Sequence, residues 1–214
     1  MLDSIEHRGP DAEGVWSINN VYLGHRRLSI HDLSSAGHQP MHSQSMRYTI
    51  IFNGEIYNFE ELRAQLPSRE WRGTSDTEVM LNAIEVWGIE KALGAFNGMF
   101  SFALWDEEDQ CLTLARDKFG EKPLYFGLVK GNLFFASELT CIEAEFGEYL
   151  TINRSAIAKQ AAVSYIPAPL SIYNEVSKLQ AGSFVQFKGN KLTEIRQFWS
   201  LAGIIETAKK NQFS

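Results

Sequence analysis

Short apolar runs that flank tight-turn residues constrain the fold of this chain more than any other feature. Residues 15–18 and 21–23 lie on either side of Asn19-Asn20, a two-residue turn signal that predicts a β-hairpin. Further hairpins are predicted around Lys130-Gly131-Asn132 and Gly189-Asn190. Helical segments lie between these hairpins without a regular strand–helix–strand order. The sequence therefore predicts an antiparallel α+β architecture rather than a doubly wound parallel sheet.

Capping residues mark the starts of two predicted helices. Asn58-Phe59-Glu60-Glu61 places an N-cap residue ahead of a Glu at the third helical position, and Ser75-Asp76-Thr77-Glu78 repeats the pattern. Apolar residues follow the second motif at helical spacing as far as Trp87. We therefore expect one helix to run from Asn58 to about Leu66 and another to begin at Ser75.

Three further segments have predicted boundaries. Residues 48–52 are β-branched and aromatic, which predicts a buried strand that stops at Asn53-Gly54-Glu55. Residues 28–30 are expected to continue the strand that precedes them, and residues 34–45 are expected to form a polar loop. Residues 1–5 are typical of the last turn of an amphipathic helix.

Composition excludes several classes of function. The 214 residues carry a formal net charge of −6, whereas nucleic acids and anionic membranes favour proteins with clustered Lys and Arg. No apolar run reaches membrane-spanning length, and no charged and then apolar leader opens the chain. Cys111 and Cys141 are too few for a disulfide framework, which favours a reducing cytoplasm. The five histidines fit no zinc-binding spacing, so no metal site is predicted.

Polar residues at strand ends are candidates for a binding site. Arg26 and Arg27 follow an apolar strand whose adjacent residues point to opposite faces, so one guanidinium could bind a carboxylate in a pocket. Two solvated arginines are the alternative. Asn53 and Gly54 supply an amide donor and an approachable backbone N–H, which are the components of an oxyanion hole. Asn-Gly is also the commonest tight-turn dipeptide, and the residue types alone slightly favour a turn.

Asp76 is a third candidate, at the start of a predicted helix. Ser75 can serve as the cap of that helix, which leaves the Asp76 carboxylate able to receive a substrate ammonium group. Capping by Asp76 itself is the alternative. Arg27 and Asp76 together would complement the carboxylate and the ammonium of an amino acid.

Several motifs together resemble those of a known family. Their order and spacing are similar to those of class II glutamine amidotransferases, and more narrowly to those of the N-terminal glutaminase domain of glutamine-hydrolysing asparagine synthetases. The resemblance covers nearly the whole chain. The motifs are HRGPD at residues 7–11, GHRRLSI at 24–30, FNGEIYN at 52–58, SDTE at 75–78, FNGMFSFA at 96–103, RDKFGEKPLY at 116–125, ASE at 136–138 and YIPAP at 165–169.

The resemblance implies both a fold and a reaction. The fold is that of Ntn hydrolases, a four-layer αββα sandwich of two antiparallel sheets between helical layers. The reaction is the hydrolysis of glutamine to glutamate, and the ammonia passes to a second active site. The domain would occupy residues 1–200, and residues 201–214 would begin a linker to a synthetase domain.

The resemblance also implies a set of glutamine-binding residues. Arg27 would bind the α-carboxylate, and Asp76 would take the α-ammonium group with help from Glu55. Asn53 and the Gly54 N–H would form the oxyanion hole. The complete implied set is Arg27, Ile30, His31, Asn53, Gly54, Glu55 and Asp76.

The chain departs from the family at its nucleophile, which is a cysteine at the N-terminus of the mature protein. Residue 1 is Met and residue 2 is Leu, and neither Cys111 nor Cys141 stands in the nucleophile's place. The sequence therefore implies a sandwich whose first strand is missing and a chain that is inactive alone. ATP and Mg²⁺ are expected only in the absent synthetase domain, and no cofactor is expected in this chain.

Two alternative interpretations stay open. One is a non-catalytic domain that binds an amino acid or a partner protein. The other is an amidotransferase for a different acceptor, such as a polysaccharide, a peptide or a β-lactam precursor. The YIPAP segment at residues 165–169 favours the asparagine synthetase branch. The expected partners are glutamine, the synthetase domain and a second copy of the chain, with no nucleic acid and no membrane.

Overall fold

The computed structural model describes residues 1–29, 34–68 and 70–210. A 3-10 helix, Asp3–Arg8, precedes a hairpin of β1 (Ala12–Ile18) and β2 (Val21–Arg27). Ile18 pairs with Val21 across the turn, as the Asn19-Asn20 signal predicts. This 3-10 helix continues past residue 5, where the helical turn at residues 1–5 was predicted to end. None of its residues is buried.

Six strands form the larger antiparallel sheet, in the spatial order β11-β10-β6-β5-β4-β3. One face of this sheet packs on helices and the other face packs on the smaller sheets. The strands are β3 (Met41–His42), β4 (Tyr48–Ile56), β5 (Gly98–Asp106), β6 (Cys111–Arg116), β10 (Ser183–Lys188) and β11 (Lys191–Gln197).

The second sheet layer consists of two separate pieces. The β1–β2 hairpin is one piece, and a three-stranded sheet in the order β8-β7-β9 is the other. Leu23 of β2 packs with Trp105 and Phe187 of the larger sheet, in a core between the layers. The three-stranded sheet consists of β7 (Tyr125–Val129), β8 (Asn132–Ala136) and β9 (Val176–Lys178).

Helices cover the outer faces of the sheets. Phe52 and Phe100 of the larger sheet pack against Val79 and Met80 of α2. On the other side, Ile142 of α4 packs with residues of the three-stranded sheet. The resulting order of helix, sheet, sheet and helix confirms the four-layer α+β sandwich. The helices are α1 (Phe59–Gln65), α2 (Asp76–Trp87), α3 (Ile89–Ala95), α4 (Leu139–Phe146), α5 (Arg154–Val163) and α6 (Leu201–Lys210).

Two predicted strand boundaries are wrong. The strand predicted to stop at Asn53-Gly54-Glu55 continues to Ile56, because β5 pairs with it along its whole length. The strand predicted to include residues 28–30 ends at Arg27, since Leu28 and Ser29 are irregular; Ile30 lies outside the described residues. The predicted polar loop at residues 34–45 contains the short strand β3.

Asn58 does not cap α1 with its side chain, although α1 begins directly after it. The Asn58 amide instead donates to the Ala95 carbonyl at 3.0 Å and accepts from the Asn97 N–H at 3.0 Å. The Asn58 side chain that was predicted to cap α1 therefore forms tertiary hydrogen bonds instead. Residues 201–210 form the exposed helix α6, and their role as a linker stays a prediction.

Candidate active site

A cavity of about 1070 Å³ opens between the larger sheet and the two smaller ones. Five of the seven residues that the family resemblance implies for glutamine binding line it: Arg27, Asn53, Gly54, Glu55 and Asp76. The other two, Ile30 and His31, lie outside the described residues. The structure thus brings together residues from the end of β2, the second half of β4 and the start of α2.

The outer edge of β4 supplies backbone groups to this cavity. On this edge the Phe52 N–H donates to Gln39 Oε1 at 2.6 Å, and the Ile56 N–H donates to Asp76 Oδ2 at 2.9 Å. In the sequence of β4, Gly54 lies midway between Phe52 and Ile56. It pairs with Phe100 of β5, whose N–H and C=O both bond to Asp117, on the side of β5 that faces away from β4. Because alternate residues of a strand point their backbone groups to the same side, the Gly54 N–H faces the outer edge.

Only glycine fits at position 54. Its φ is +154°, and a Cβ there would approach the backbone of β5, with Phe100 Cα 2.7 Å away. The absence of a side chain therefore allows β4 to pair closely with β5 while its N–H stays directed at the cavity. Asn53-Gly54 is not a turn here.

Asn53 and Glu55 point to the same face of β4 as Ile51, which packs in the core between the sheets. Asn53 Nδ2 lies 3.5 Å from Ser137 Oγ at the end of β8, and both residues line the cavity. The Asn53 amide and the Gly54 N–H are therefore two donors at one cavity wall. This is the donor arrangement that an oxyanion hole requires.

The two arginines at the end of β2 differ as the strand alternation predicts. Arg26 pairs with Glu13 at 2.7 Å and with Asp3 at 3.3 Å. Arg27 is 8% exposed and donates to the Ser34 carbonyl at 3.0 Å. Arg27 therefore places a buried guanidinium at the cavity, and a guanidinium is complementary to a carboxylate.

Asp76 joins α2 to β4. Its Oδ1 accepts from the Thr77 N–H at 2.7 Å and its Oδ2 accepts from the Ile56 N–H, while its side chain is among the buried charged groups. Ser75 is the N-cap and accepts from the Thr77 N–H at 3.2 Å, as predicted. Glu78 does not complete the capping box, because it accepts from the Arg72 and Gly73 N–H groups instead.

Sequence reasoning missed two residues at this site, His25 and Gln39. His25 Nε2 lies 3.1 Å from the Phe52 carbonyl, and burial lowers the pKa of His25 to about 4. Gln39 Nε2 lies 3.5 Å from Thr77 Oγ1, in addition to its bond with Phe52. The available signal for His25 was its position two residues before Arg27, on the same face of one strand.

Both cysteines are buried free thiols. Cys111 begins β6, and burial raises the pKa of its thiol. Cys141 lies in α4 and lines the cavity, but no hydrogen bond joins it to Asn53 or Gly54. Cys141 thus shares the cavity with the two donors, whereas Cys111 is not among the residues that line it.

Two strand edges border the cavity. Seven consecutive residues of β2 (Val21–Arg27) and four of β8 (residues 133–136) line it. Because side chains alternate along a strand, consecutive lining residues mean that the backbone edge itself borders the space. Within the described ranges, no strand pairs with β2 opposite β1 or with β8 opposite β7.

Metal binding and membrane insertion are two further possibilities for the part of the chain that the structure describes. No group of three or more His, Cys, Asp or Glu residues there is arranged to hold a metal ion. No helix in the same part is long and apolar enough to cross a membrane.

The chain is similar to known proteins over nearly its whole length. Residues 1–199 match the family model described as a glutamine amidotransferase domain. Asparagine synthetase [glutamine-hydrolyzing] 1 of Bacillus subtilis is 37% identical over 86% of this chain and 29% of its own length. Amidase chyE of Penicillium rubens is 35% identical over 94% of this chain and 29% of its own length. The chain thus spans less than a third of each of these relatives.

A solved structure has the same fold. The glutamine phosphoribosylpyrophosphate amidotransferase of Bacillus subtilis matches with a TM-score of 0.68 at 19% identity, over 92% of this chain and 45% of that chain. The match supports the Ntn-type sandwich that the layers already indicate. From residues 1–199 and these relatives, we conclude that the chain belongs to the glutamine amidotransferase domain family, with glutamine-hydrolysing asparagine synthetases among its relatives.

Proposed function

We propose that the cavity binds L-glutamine and forms the substrate-binding part of a glutaminase. One observation carries the proposal: a buried guanidinium, a buried carboxylate and two oxyanion donors line the same cavity. These groups belong to Arg27, Asp76 and the Asn53-Gly54 pair. A free amino acid with a carboxamide side chain offers a complementary group to each of them.

The α-carbon end of glutamine would lie between opposite charges. Arg27 presents a planar guanidinium, which binds a carboxylate with two parallel hydrogen bonds. Asp76 is a buried carboxylate that lines the same cavity, and its negative charge is complementary to an ammonium group. Glu55 lines the same cavity and adds a second negative charge near that ammonium.

The carboxamide end would lie against Asn53 and Gly54. When a nucleophile attacks the carboxamide carbon, its oxygen becomes negatively charged, and donors fixed in advance stabilise that charge. The loss of one such donor typically lowers kcat by about 10²- to 10³-fold. The two donors come from adjacent residues of one strand, which fixes their separation.

We further propose that residues 1–214 alone hydrolyse no glutamine. The attacking thiol would come from an extended segment with an N-terminal cysteine, as in the family. Within the described residues, no strand pairs with the outer edges of β2 and β8, apart from an isolated bridge between Pro10 and Arg27. This supports the proposal, because a strand between the two edges would join the small sheets into one. The seven lining residues of β2 correspond to roughly 23 Å of extended chain.

Ammonia release tests both parts of the proposal. The 214-residue chain is compared with the same chain extended by a segment of about ten residues that begins with cysteine. We expect ammonia from the extended chain only, and none when that cysteine is replaced by alanine. Ammonia from the 214-residue chain, or none from a folded extended chain that binds glutamine, would contradict the proposal. A domain that only binds glutamine would bind it in the extended chain without releasing ammonia.

In the whole protein, we propose that the ammonia passes to a synthetase domain, for which ATP and Mg²⁺ would be the cofactors. The similarity to an asparagine synthetase supports aspartate as the acceptor. The similarity to amidase chyE supports a second candidate, an amidotransferase with another acceptor. The two buried free thiols are consistent with a reducing cytoplasm. A homodimer is the further partner that we expect.

A further inference from the structure

Two side chains bind the backbone of β4 just before the oxyanion donors. β3 pairs with β4 only at Ile50 and Thr49, so the strand edge beyond Ile50 has no neighbouring strand from β3. Phe52 is the next residue whose backbone groups face this outer edge. Its N–H donates to Gln39 Oε1, and its carbonyl oxygen forms a hydrogen bond with His25 Nε2. Side chains therefore occupy both positions that a neighbouring strand would fill.

The His25 ring has one fixed arrangement. Its burial keeps the imidazole neutral near pH 7, and the Phe52 carbonyl can only accept, so Nε2 must carry the proton. Nδ1 is then a bare acceptor, and it is buried without a hydrogen-bond partner in the described part of the chain. An unsatisfied buried acceptor is unfavourable. Because Nδ1 forms no hydrogen bond in the described residues, the hydrogen bond from Nε2 to the Phe52 carbonyl is the one that orients the ring.

The contacted groups lie directly next to the donors. The Phe52 carbonyl and the Asn53 N–H belong to one planar peptide unit, so a bond to that carbonyl sets the plane that leads into Asn53 and Gly54. Gln39 also reaches Thr77, whose N–H and hydroxyl both donate to Asp76 Oδ1. Gln39 therefore connects β4, which carries the two donors, through Thr77 to Asp76, the residue that would bind the ammonium group.

We propose that His25 and Gln39 are positioning residues that replace a neighbouring strand at Phe52 and thereby aim the Asn53 and Gly54 donors into the cavity. The inference rests on the proposed function. Neither residue needs to touch the substrate. His25 acts on the carboxamide end only, whereas Gln39 acts on both ends through its contact with Thr77.

Variants of His25 separate positioning from simple stability. In His25→Gln the side-chain amide can place an N–H donor near the position of Nε2, and in His25→Leu no donor remains. The ligands are L-glutamine and L-norvaline, which has the same chain length without the carboxamide. We expect His25→Leu to weaken L-glutamine binding by about three- to tenfold and to leave L-norvaline binding unchanged. His25→Gln should restore most of the glutamine affinity.

Gln39→Met gives an independent test, because it removes the acceptor for the Phe52 N–H while keeping the length of the side chain. We expect faster hydrogen exchange at Phe52 and weaker binding of both ligands, since Thr77 also loses its contact. Equal loss of both ligands in His25→Leu, or no loss of glutamine binding, would overturn the positioning role of His25.

Backbone NMR distinguishes failure of this inference from failure of the proposed function. If the wild-type chain binds no glutamine, the proposed function fails. The positioning of β4 by the hydrogen bond between His25 and Phe52 is still tested. His25→Leu should then shift the amide resonances of Asn53 and Gly54 more than those elsewhere in β4. Shifts spread evenly over β4 would contradict it. If the wild-type chain binds glutamine but the variants bind it equally well, only the positioning role fails.

Discussion

The Asp76 carboxylate connects the first turn of α2 to the edge of β4, so we expect this one side chain to affect both glutamine binding and stability. In Asp76→Asn one acceptor oxygen becomes a donor that faces a buried N–H. We expect the free energy of unfolding to fall by about 1–3 kcal/mol and glutamine affinity to fall at least roughly tenfold. Urea denaturation and calorimetric titration measure the two effects.

Ser75→Ala is the matched control for Asp76. It removes the N-cap of the same helix, which costs about 1 kcal/mol of stability, but leaves the carboxylate in place. Glutamine affinity should therefore stay near that of the wild type. Equal loss of affinity in the two variants would show that Asp76 acts only through the helix.

The buried His25 makes stability depend on pH. Its pKa is about 4 in the folded chain against 6.5 as the ordinary value, so the unfolded chain binds the extra proton first as the pH falls. The stability from neutral His25 is thus present above about pH 6.5 and is lost as the pH falls towards 4. Between pH 7 and pH 5 we expect a loss of about 2 kcal/mol from this residue.

The contribution of His25 is isolated by subtraction. Asp106 and Glu138 have pKa values lowered in the folded chain by hydrogen bonds from Arg47 and Arg8, against the raising effect of burial, so their contributions are also lost in acid. His25→Gln keeps those carboxylates and removes the titrating ring. The wild type should therefore lose more stability than His25→Gln between pH 7 and pH 5. Parallel stability curves would contradict the assignment.

At the scale of the elements, the pairing of β4 with β5 depends on Gly54. Gly54→Ala would place a Cβ against the β5 backbone at a positive φ, and we expect a loss of roughly 3 kcal/mol. Gly94→Ala is the control, because a Cβ there meets nothing within 4 Å inside α3. That variant should gain about 0.5–1 kcal/mol in urea denaturation. Similar values for the two variants would be inconsistent with the close β4–β5 approach.

The segment after β6 is organised by the fully buried Asp117. Its two oxygens accept four backbone N–H groups, those of Phe100, Phe119, Glu121 and Lys122. Asp117→Asn turns one oxygen into a donor that faces two of them, so we expect a loss of at least about 2 kcal/mol. Asp3→Asn, at a 99% exposed side chain, should change stability by less than about 0.5 kcal/mol. A comparable effect of both substitutions would refute this role of Asp117.

Local signals predict much of the fold and part of the site. The Asn19-Asn20 hairpin and the Ser75 cap depend on neighbours in sequence, and both are confirmed. The end of β4 was mispredicted because tertiary pairing with β5 overrides the turn preference of Asn53-Gly54. The role of His25 could not be predicted, since it arises only when β2 meets β4, whose contacting residue is 27 positions later.

At the scale of the whole molecule, the second sheet layer consists of two pieces that share a cavity. Arg27 enters this cavity from the hairpin piece and Ser137 follows the last strand of the other piece, while Asn53 and Gly54 come from the opposite layer. If the cavity binds glutamine as proposed, recognition depends on the relative placement of three sheets.

Calorimetric titration of the 214-residue chain with L-glutamine tests the central claim most directly. The account predicts one site per chain with a Kd of about 1 mM or tighter, no ammonia release, and much weaker binding of D-glutamine or of the Arg27→Met variant. Absence of L-glutamine binding by the folded chain would contradict it. Equal binding of L-glutamine by the wild type and by Arg27→Met would contradict it as well.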